Sequence, residues 1–294
     1  MSGKGFLTNA AIVFLLFISC RTENYSNELK GIPAFNKIVV VIGENEKAST
    51  VFDNIAEAPY INSLANSGAK FISSFGIDHP SQPNYLCLFS GSKQGMTNNI
   101  TPLSHFTTPN LARELFNTGK TFADYSEDLP YTGFDGFSSG LYVRKHNPVA
   151  NWIGPGVNQV PFSFNKPFSD MPSDNSLLPD VSFFIPNLCN DGHDFCPPDS
   201  NRTKQFDRWV ENNFSAYADW CVQNTSLLIV TYDEDDWSGN NRIATVFYGS
   251  HVKRGVYSDT INHFTVLRTI EDAMKLTHHA GAADYENAIN YCWE

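Results

Sequence analysis

The chain of 294 residues is short of positive charge. Twenty Lys and Arg stand against 31 Asp and Glu, a formal net charge of −11 at pH 7. A general nucleic-acid binder needs basic surface for the phosphates, so this balance argues against that class. It leaves room for a small phosphorylated substrate, because a metal ion can supply local positive charge. Cysteine is also scarce: six residues are too few for a disulfide scaffold. There is no internal repeat, no linker that splits the chain, and no long apolar run beyond the N-terminus. What is present is a globular composition, 41% hydrophobic and 17% charged. Aromatics reach 14%, with 23 Phe, which predicts a core rich in rings.

Residues 1–20 read MSGKGFLTNAAIVFLLFISC. Lys4 precedes an apolar run from Ala10 to Ile18 that is short for a membrane span, so residues 1–19 read as a signal peptide. The ending Phe17-Ile18-Ser19-Cys20 resembles a bacterial lipobox, which would attach the protein to a membrane through a lipidated Cys20. An ordinary secretory signal fits equally well. Both readings predict export, with residues 20–36 as a polar tether and 37–294 as the folded domain. Export permits disulfides. Cys189 and Cys196 flank a tight polar loop and are the expected pair; Cys221 and Cys292 are candidates for a second. Cys87, in an apolar run, reads as a buried free thiol.

Strand and helix patterns alternate. Lys37–Ile42, Ala69–Phe75, Thr121–Tyr125, Val181–Ile185, Ser226–Tyr232 and Ile243–Tyr248 read as strands. Ala58–Asn66, Ser81–Ser90, Asn110–Asn117, Arg202–Cys221 and His263–Met274 read as helices, and residues 130–180 as long loops over one rim. The order predicts a single α/β domain with a mostly parallel central sheet flanked by helices. In such sheets ligands bind beyond the carboxyl ends of the strands.

Polar clusters fall at those ends. Glu44 and Asn45 follow the first strand; Asp233, Glu234, Asp235 and Asp236 follow the strand ending at Tyr232. Four adjacent acids repel one another unless solvent or a cation compensates, and hard oxygen ligands suit a divalent metal. A solvated acidic turn is the plain alternative. Ser81 opens a helix, where backbone N–H groups and the dipole favour an anion, and a metal could make its hydroxyl a nucleophile. Asn84, one turn on, can reach the same anion. Plain N-capping by Ser81 is the commoner use of such a residue. Asn187, Asn190, Asp191, His193 and Asp194 follow another strand within the Cys189–Cys196 region, and Lys145-His146-Asn147-Pro148 offers cations for phosphate. Asn262 reads as a helix cap, and His263 stays undecided.

The motifs GEN, HPSQPNY, KHNP, PNLCNDGHD, TYDED and HFTVLRTIED, in this order, resemble the phosphoesterase family of exported acid phosphatases and bacterial phospholipases C. The resemblance runs over about residues 37–276. It implies an alkaline-phosphatase-like fold. It also implies Glu44, Asn45, Ser81, Asp233 and Glu234 as ligands of one divalent metal ion, with Ser81 as nucleophile. Asn84 then holds a phosphoryl oxygen, His193 protonates the leaving group and His146 binds substrate. Asn187 stands where two-zinc relatives place an Asp, which favours one metal. The implied activity is a phosphomonoesterase, acid-phosphatase-like, working through a phosphoserine. The chain lacks the large C-terminal additions of many phospholipases of the family. A phospholipase C acting on phosphodiesters, or a non-catalytic surface lipoprotein with a degenerate site, are the alternatives.

Overall fold

The computed structural model describes residues 1–3, 31–198 and 200–294. The signal-peptide reading and Cys20 fall outside the described residues. No helix among the described residues is long and apolar enough to cross a membrane.

The elements run β1 (Lys37–Gly43), α1 (Ala48–Phe52), α2 (Pro59–Ser67), β2 (Ala69–Phe75), α3 (Ser81–Ser90), α4 (Leu111–Asn117) and β3 (Phe122–Ser126). A small hairpin of β4 (Ser138–Ser139) and β5 (Tyr142–Val143) follows, then β6 (Asn165–Pro167), β7 (Val181–Ile185) and α5 (Arg202–Gln223). The chain ends with β8 (Ser226–Tyr232), β9 (Arg242–Gly249), β10 (Gly255–Tyr257), β11 (Ile261–Asn262) and α6 (His263–Ala273).

Among the described residues, nine strands form one sheet in the order β10-β2-β9-β8-β1-β7-β3-β6, with β11 beside β2. The centre, β8-β1-β7-β3, is parallel. These strands are β-branched and aromatic, and nearly every residue is buried, as a sheet covered on both faces requires. β9 alone runs antiparallel, to both β2 and β8. Sequence pattern does not show this reversal, because a buried strand reads the same in either direction.

Two apolar layers cover the sheet. One, with α3, α4 and α6, holds Phe71, Phe89, Phe122, Trp152 and Phe183; the other, with α2 and α5, holds Phe184, Phe206, Phe214 and Tyr217. Cys292 belongs to the first layer and Cys221 to the second, so the sheet separates them. The expected second disulfide is therefore corrected: both are buried free thiols, as is Cys87. Cys189 and Cys196 are bonded, as expected. The tether boundary also moves. Phe35 is buried with its ring 5.6 Å from that of Trp293, and the Asn36 N–H donates to the Thr225 carbonyl at 2.7 Å. The packed body thus includes residues before 37.

All ten residues of α3 are buried. The helix ends at Gly91, whose φ of 64° suits a residue without Cβ; an added Cβ would lie 2.0 Å from the Ala280 carbonyl. α6 starts with the expected cap: Asn262 Oδ1 accepts from the N–H groups of Phe264 and Thr265, completing a capping box with Thr265. Residues 130–180 are mostly loops, but Asn165–Pro167 pairs with β3 and widens the sheet.

Candidate active site

The site forms where β1, β7 and β8 end. Gly43 and Tyr232 are paired across β1 and β8, so Glu44 and Asp233 leave neighbouring strands at the same level. The backbone ties the ends together: the Asp233 N–H donates to the Gly43 carbonyl at 3.1 Å, and the Glu44 N–H to the Asp191 carbonyl at 2.8 Å. Asn45, in the left-handed region at φ 50°, turns its N–H to Asp233 Oδ1 at 3.2 Å. His263 supports this turn from beneath. Its Nε2 donates to the Asp233 carbonyl at 2.6 Å, and burial brings its imidazole down to about 4, so it is neutral.

Ser81 is the first residue of α3, after the cis peptide His79–Pro80. Pro80 holds the cap position, and no side chain caps the helix. The Ser81 hydroxyl instead reaches Glu44 Oε2 and Glu234 Oε1, each at 3.1 Å. This removes the capping explanation for Ser81. The helix start itself offers few free donors: the Gln82 N–H goes to Asn99 Oδ1 at 2.9 Å, and Pro83 has none.

Asn84 does not present its amide to the site as expected. Its Oδ1 accepts from the N–H groups of Ile77 and Asp78 at 2.8 and 3.0 Å, and its Nδ2 donates to the Asp78 carbonyl at 2.8 Å. It shapes the turn that delivers Ser81.

Four of the buried carboxylates meet at the site: Glu44, Asp191, Asp233 and Glu234. Burial pushes all four up, and like charge adds to it, Asp233 and Asp191 acting on Glu44 and Asp233 on Glu234. Lys145 opposes the rise in every case. Glu44 Oε1, Asn45 Oδ1 and Asp233 Oδ2 are buried oxygens without a hydrogen-bond partner. Such unpaired hard donors among clustered acids fit a divalent cation. The compact group of three ligating side chains among the described residues is a different one: Glu44, His146 and His193, with one ligand atom of each within 4.8 Å of the others. Asp233 and Glu234 do not join that group; Ser81 links Glu234 to Glu44, and Asn45 links Asp233 to the β1 end.

The facing wall is basic. His146 lies between Glu44 Oε1, 3.1 Å from Nε2, and Asp191 Oδ2, 3.1 Å from Nδ1, with its ring stacked on Tyr85. Burial, with Lys145 next, holds it well below the usual imidazole range. His193 is carried by a turn through Gly192 at φ 92° and pinned by its N–H to Asp191 Oδ1 at 2.7 Å. Its Nδ1 meets Asp194 Oδ1 at 2.7 Å, and its Nε2 meets Lys145 Nζ at 3.0 Å. An ammonium only donates, so this Nε2 accepts. In this arrangement Nε2 is engaged by Lys145.

Further side chains shape the surroundings of the site. His79 bridges Glu234 Oε2 at 2.6 Å and Asp235 Oδ1 at 3.2 Å and stacks on the exposed Trp237. Asp191 joins both histidines. Asp235 and Asp236, grouped by adjacency with the ligands, serve their own turn: Asp235 accepts from the N–H groups of Trp237 and Asn241, and Asp236 pairs with Lys47 and Ser238. Asn187 also faces its own loop, accepting from the N–H groups of Cys189 and Asn190 and donating to Asp128.

The family profile described as the phosphoesterase family matches residues 44–277, from the first acid of the site past α6. This chain belongs to the phosphoesterase family. As a phosphoesterase it is a hydrolase of phosphoric ester bonds. It is 44% identical over 242 residues to a phosphatidylinositol-3-phosphatase of Mycobacterium tuberculosis, covering 82% of this chain and 77% of that protein. It is 30% identical over 260 residues to an acid phosphatase of Aspergillus fumigatus, covering 81% of this chain and 54% of that protein. The phosphoesterase thus spans little more than half the length of its fungal relative. Among solved structures it resembles the lipoteichoic acid synthase LtaP of Listeria monocytogenes, with a TM-score of 0.63 at 10% identity over 86% of this chain and 76% of that one. A Vibrio parahaemolyticus protein of the alkaline phosphatase superfamily gives 0.58 at 10% identity, over 83% and 68%. These likenesses confirm the expected alkaline-phosphatase-like fold.

Proposed function

We propose that the protein is an exported, metal-dependent phosphomonoesterase of acid-phosphatase type that works through a phosphoserine at Ser81. The observation that carries this reading is the buried Ser81 hydroxyl, held between two carboxylates at the start of a helix whose cap it does not form. Glu44, Asn45, Asp233 and Glu234 would hold one divalent ion together with Ser81. When bound, that ion supplies charge neutralisation and lowers the hydroxyl pKa.

The Ser81 oxygen attacks phosphorus as its proton passes to an adjacent carboxylate, Glu44 or Glu234. The bond from phosphorus to the alcohol oxygen breaks, and the electron pair leaves with that oxygen. Water then attacks the phosphoserine, Ser81 regains a proton, and phosphate departs. His146 and His193 line the substrate side. Asn84 acts as a positioning residue through the turn at 77–80. The relatives are named phosphatases, which favours monoesters over the phosphodiesters of a phospholipase C. Export is supported by the Cys189–Cys196 disulfide, which suits an oxidising compartment, and by the apolar N-terminal run.

The test is nitrophenol release by the purified chain from nitrophenyl phosphate and from nitrophenyl phosphocholine, each with and without chelator. Release from the monoester that chelator abolishes is the expected result. Faster turnover of the phosphocholine diester would move the protein to the phospholipase reading. No turnover of either would leave a degenerate binding site.

A further inference from the structure

In phosphoryl-transfer sites with two cations, one serves the attacking oxygen and the other the leaving oxygen. Glu44 divides this site in the same way. Its Oε2 faces the nucleophile Ser81, and its Oε1 faces His146 in the group with His193. In-line displacement puts the leaving group on the side of phosphorus away from Ser81, and Glu44 Oε1 turns away from Ser81 toward those histidines. That wall already holds a cation. Lys145 Nζ lies 3.0 Å from His193 Nε2, and its partner is this imidazole rather than a carboxylate. His193 Nδ1 is turned to Asp194, so Nε2 is the only lone pair His193 can offer a metal, and Lys145 occupies it.

We propose that the Lys145 ammonium serves in place of a second metal ion: it holds the ligating lone pair of His193 and gives its charge to the leaving oxygen. This rests on the reading of a single ion beside Ser81. As the bond from phosphorus breaks, the electron pair stays on the alcohol oxygen, and Lys145 stabilises that charge by donating a hydrogen bond. The Asp194–His193–Lys145 chain sets the direction of the donor. Lys145 is thereby a catalytic residue, His193 and Asp194 are positioning residues, and the Glu44–His146–His193 group is a metal site kept closed by the neighbouring side chain.

The test counts metal ions. Wild type, Lys145→Met and Lys145→Arg are stripped with chelator and titrated with Zn²⁺ by calorimetry, with thermal melts as a check on folding. Lys145→Gln replaces Lys145→Met if the latter melts early. Wild type and Lys145→Arg are expected to bind one ion per chain and Lys145→Met two. The second ion should disappear again in Lys145→Met combined with His193→Ala. In parallel, loss of the ammonium should lower turnover of an alkyl phosphate by about a hundredfold and of nitrophenyl phosphate far less, since the nitrophenolate needs little stabilisation. Two ions in the wild type, or one in Lys145→Met, overturns the proposal. A wild type that binds none overturns the single-ion reading beneath it, a distinct result. Equal losses on both substrates remove Lys145 from the leaving oxygen.

Discussion

Two of the places where carboxylates are buried in this protein are resolved differently. Glu271 sits alone on α6. One of its oxygens accepts from the Ala280 N–H at 2.8 Å, the other has no partner, and burial pushes the group up to about 8. A single proton satisfies it. At the strand ends, Glu44, Asp191, Asp233 and Glu234 are buried together and engaged by a hydroxyl, backbone N–H groups and imidazoles. A proton on one of them leaves the other three. An isolated buried acid can be neutral at little cost, whereas a cluster tied to donors calls for a cation.

The largest effect that would sharpen this contrast is at Ser81. Ser81→Ala should lower kcat by about a thousandfold or more, while the melting temperature stays within a few degrees, because the side chain caps nothing. Near-normal turnover in a folded variant would break the comparison at its functional end. Next is the cation. Asp233→Asn removes one anionic ligand and should weaken divalent-ion binding by at least about tenfold in calorimetry, whereas Glu271→Gln should leave it unchanged. Equal ion affinity in wild type and Asp233→Asn would remove Asp233 from the ligand set.

A smaller effect is expected at the loop bearing His193. Cys196→Ser opens an eight-residue loop, worth roughly 2–3 kcal/mol in the chain-entropy model. Activity should fall proportionately more than stability, because the loop aims His193; a loss in melting temperature alone would make the bridge purely structural. The smallest effect is at Glu271. Its folded-state value lies above the ordinary 4.5, so the folded protein keeps a proton that the unfolded chain releases. Stability attributable to this group is complete below about pH 4.5 and declines until the pH passes about 8. Glu271→Gln should therefore raise the melting temperature by a few degrees above pH 8 and leave it unchanged near pH 4.5. A shift independent of pH would show that Glu271 is not protonated in the fold.

Legibility from sequence followed the range of the interactions involved. Ser226–Tyr232 and Val181–Ile185 are continuous apolar runs closed by polar turns, so their extents could be read directly. Glu44 and Asp233 stood out because a strand end is a local feature. The pairing of β1 with β8 spans nearly 190 residues and was implied only by the acids at both ends. Lys145 could be named as a phosphate cation, but its partner lies 48 residues away in another loop. Asn84 misled because helical spacing places it near Ser81 without saying which way its amide turns. His79 lay inside the motif, yet its bonds to Glu234 and Asp235 depend on a turn 155 residues on.

The pairing of Gly43 with Tyr232 divides the site by how freely it can change. Glu44 and Asp233 are fixed by sheet register, and a one-residue slip in either strand would turn them away from each other. The opposite wall hangs from the connections 127–146 and 186–198, which can be lengthened without disturbing the sheet. For an engineer, substrate range is the adjustable quantity and the choice of reaction is not. A library confined to those two loops, with Lys145, His146, Asp191 and His193 kept, would sample new leaving groups over an unaltered nucleophile.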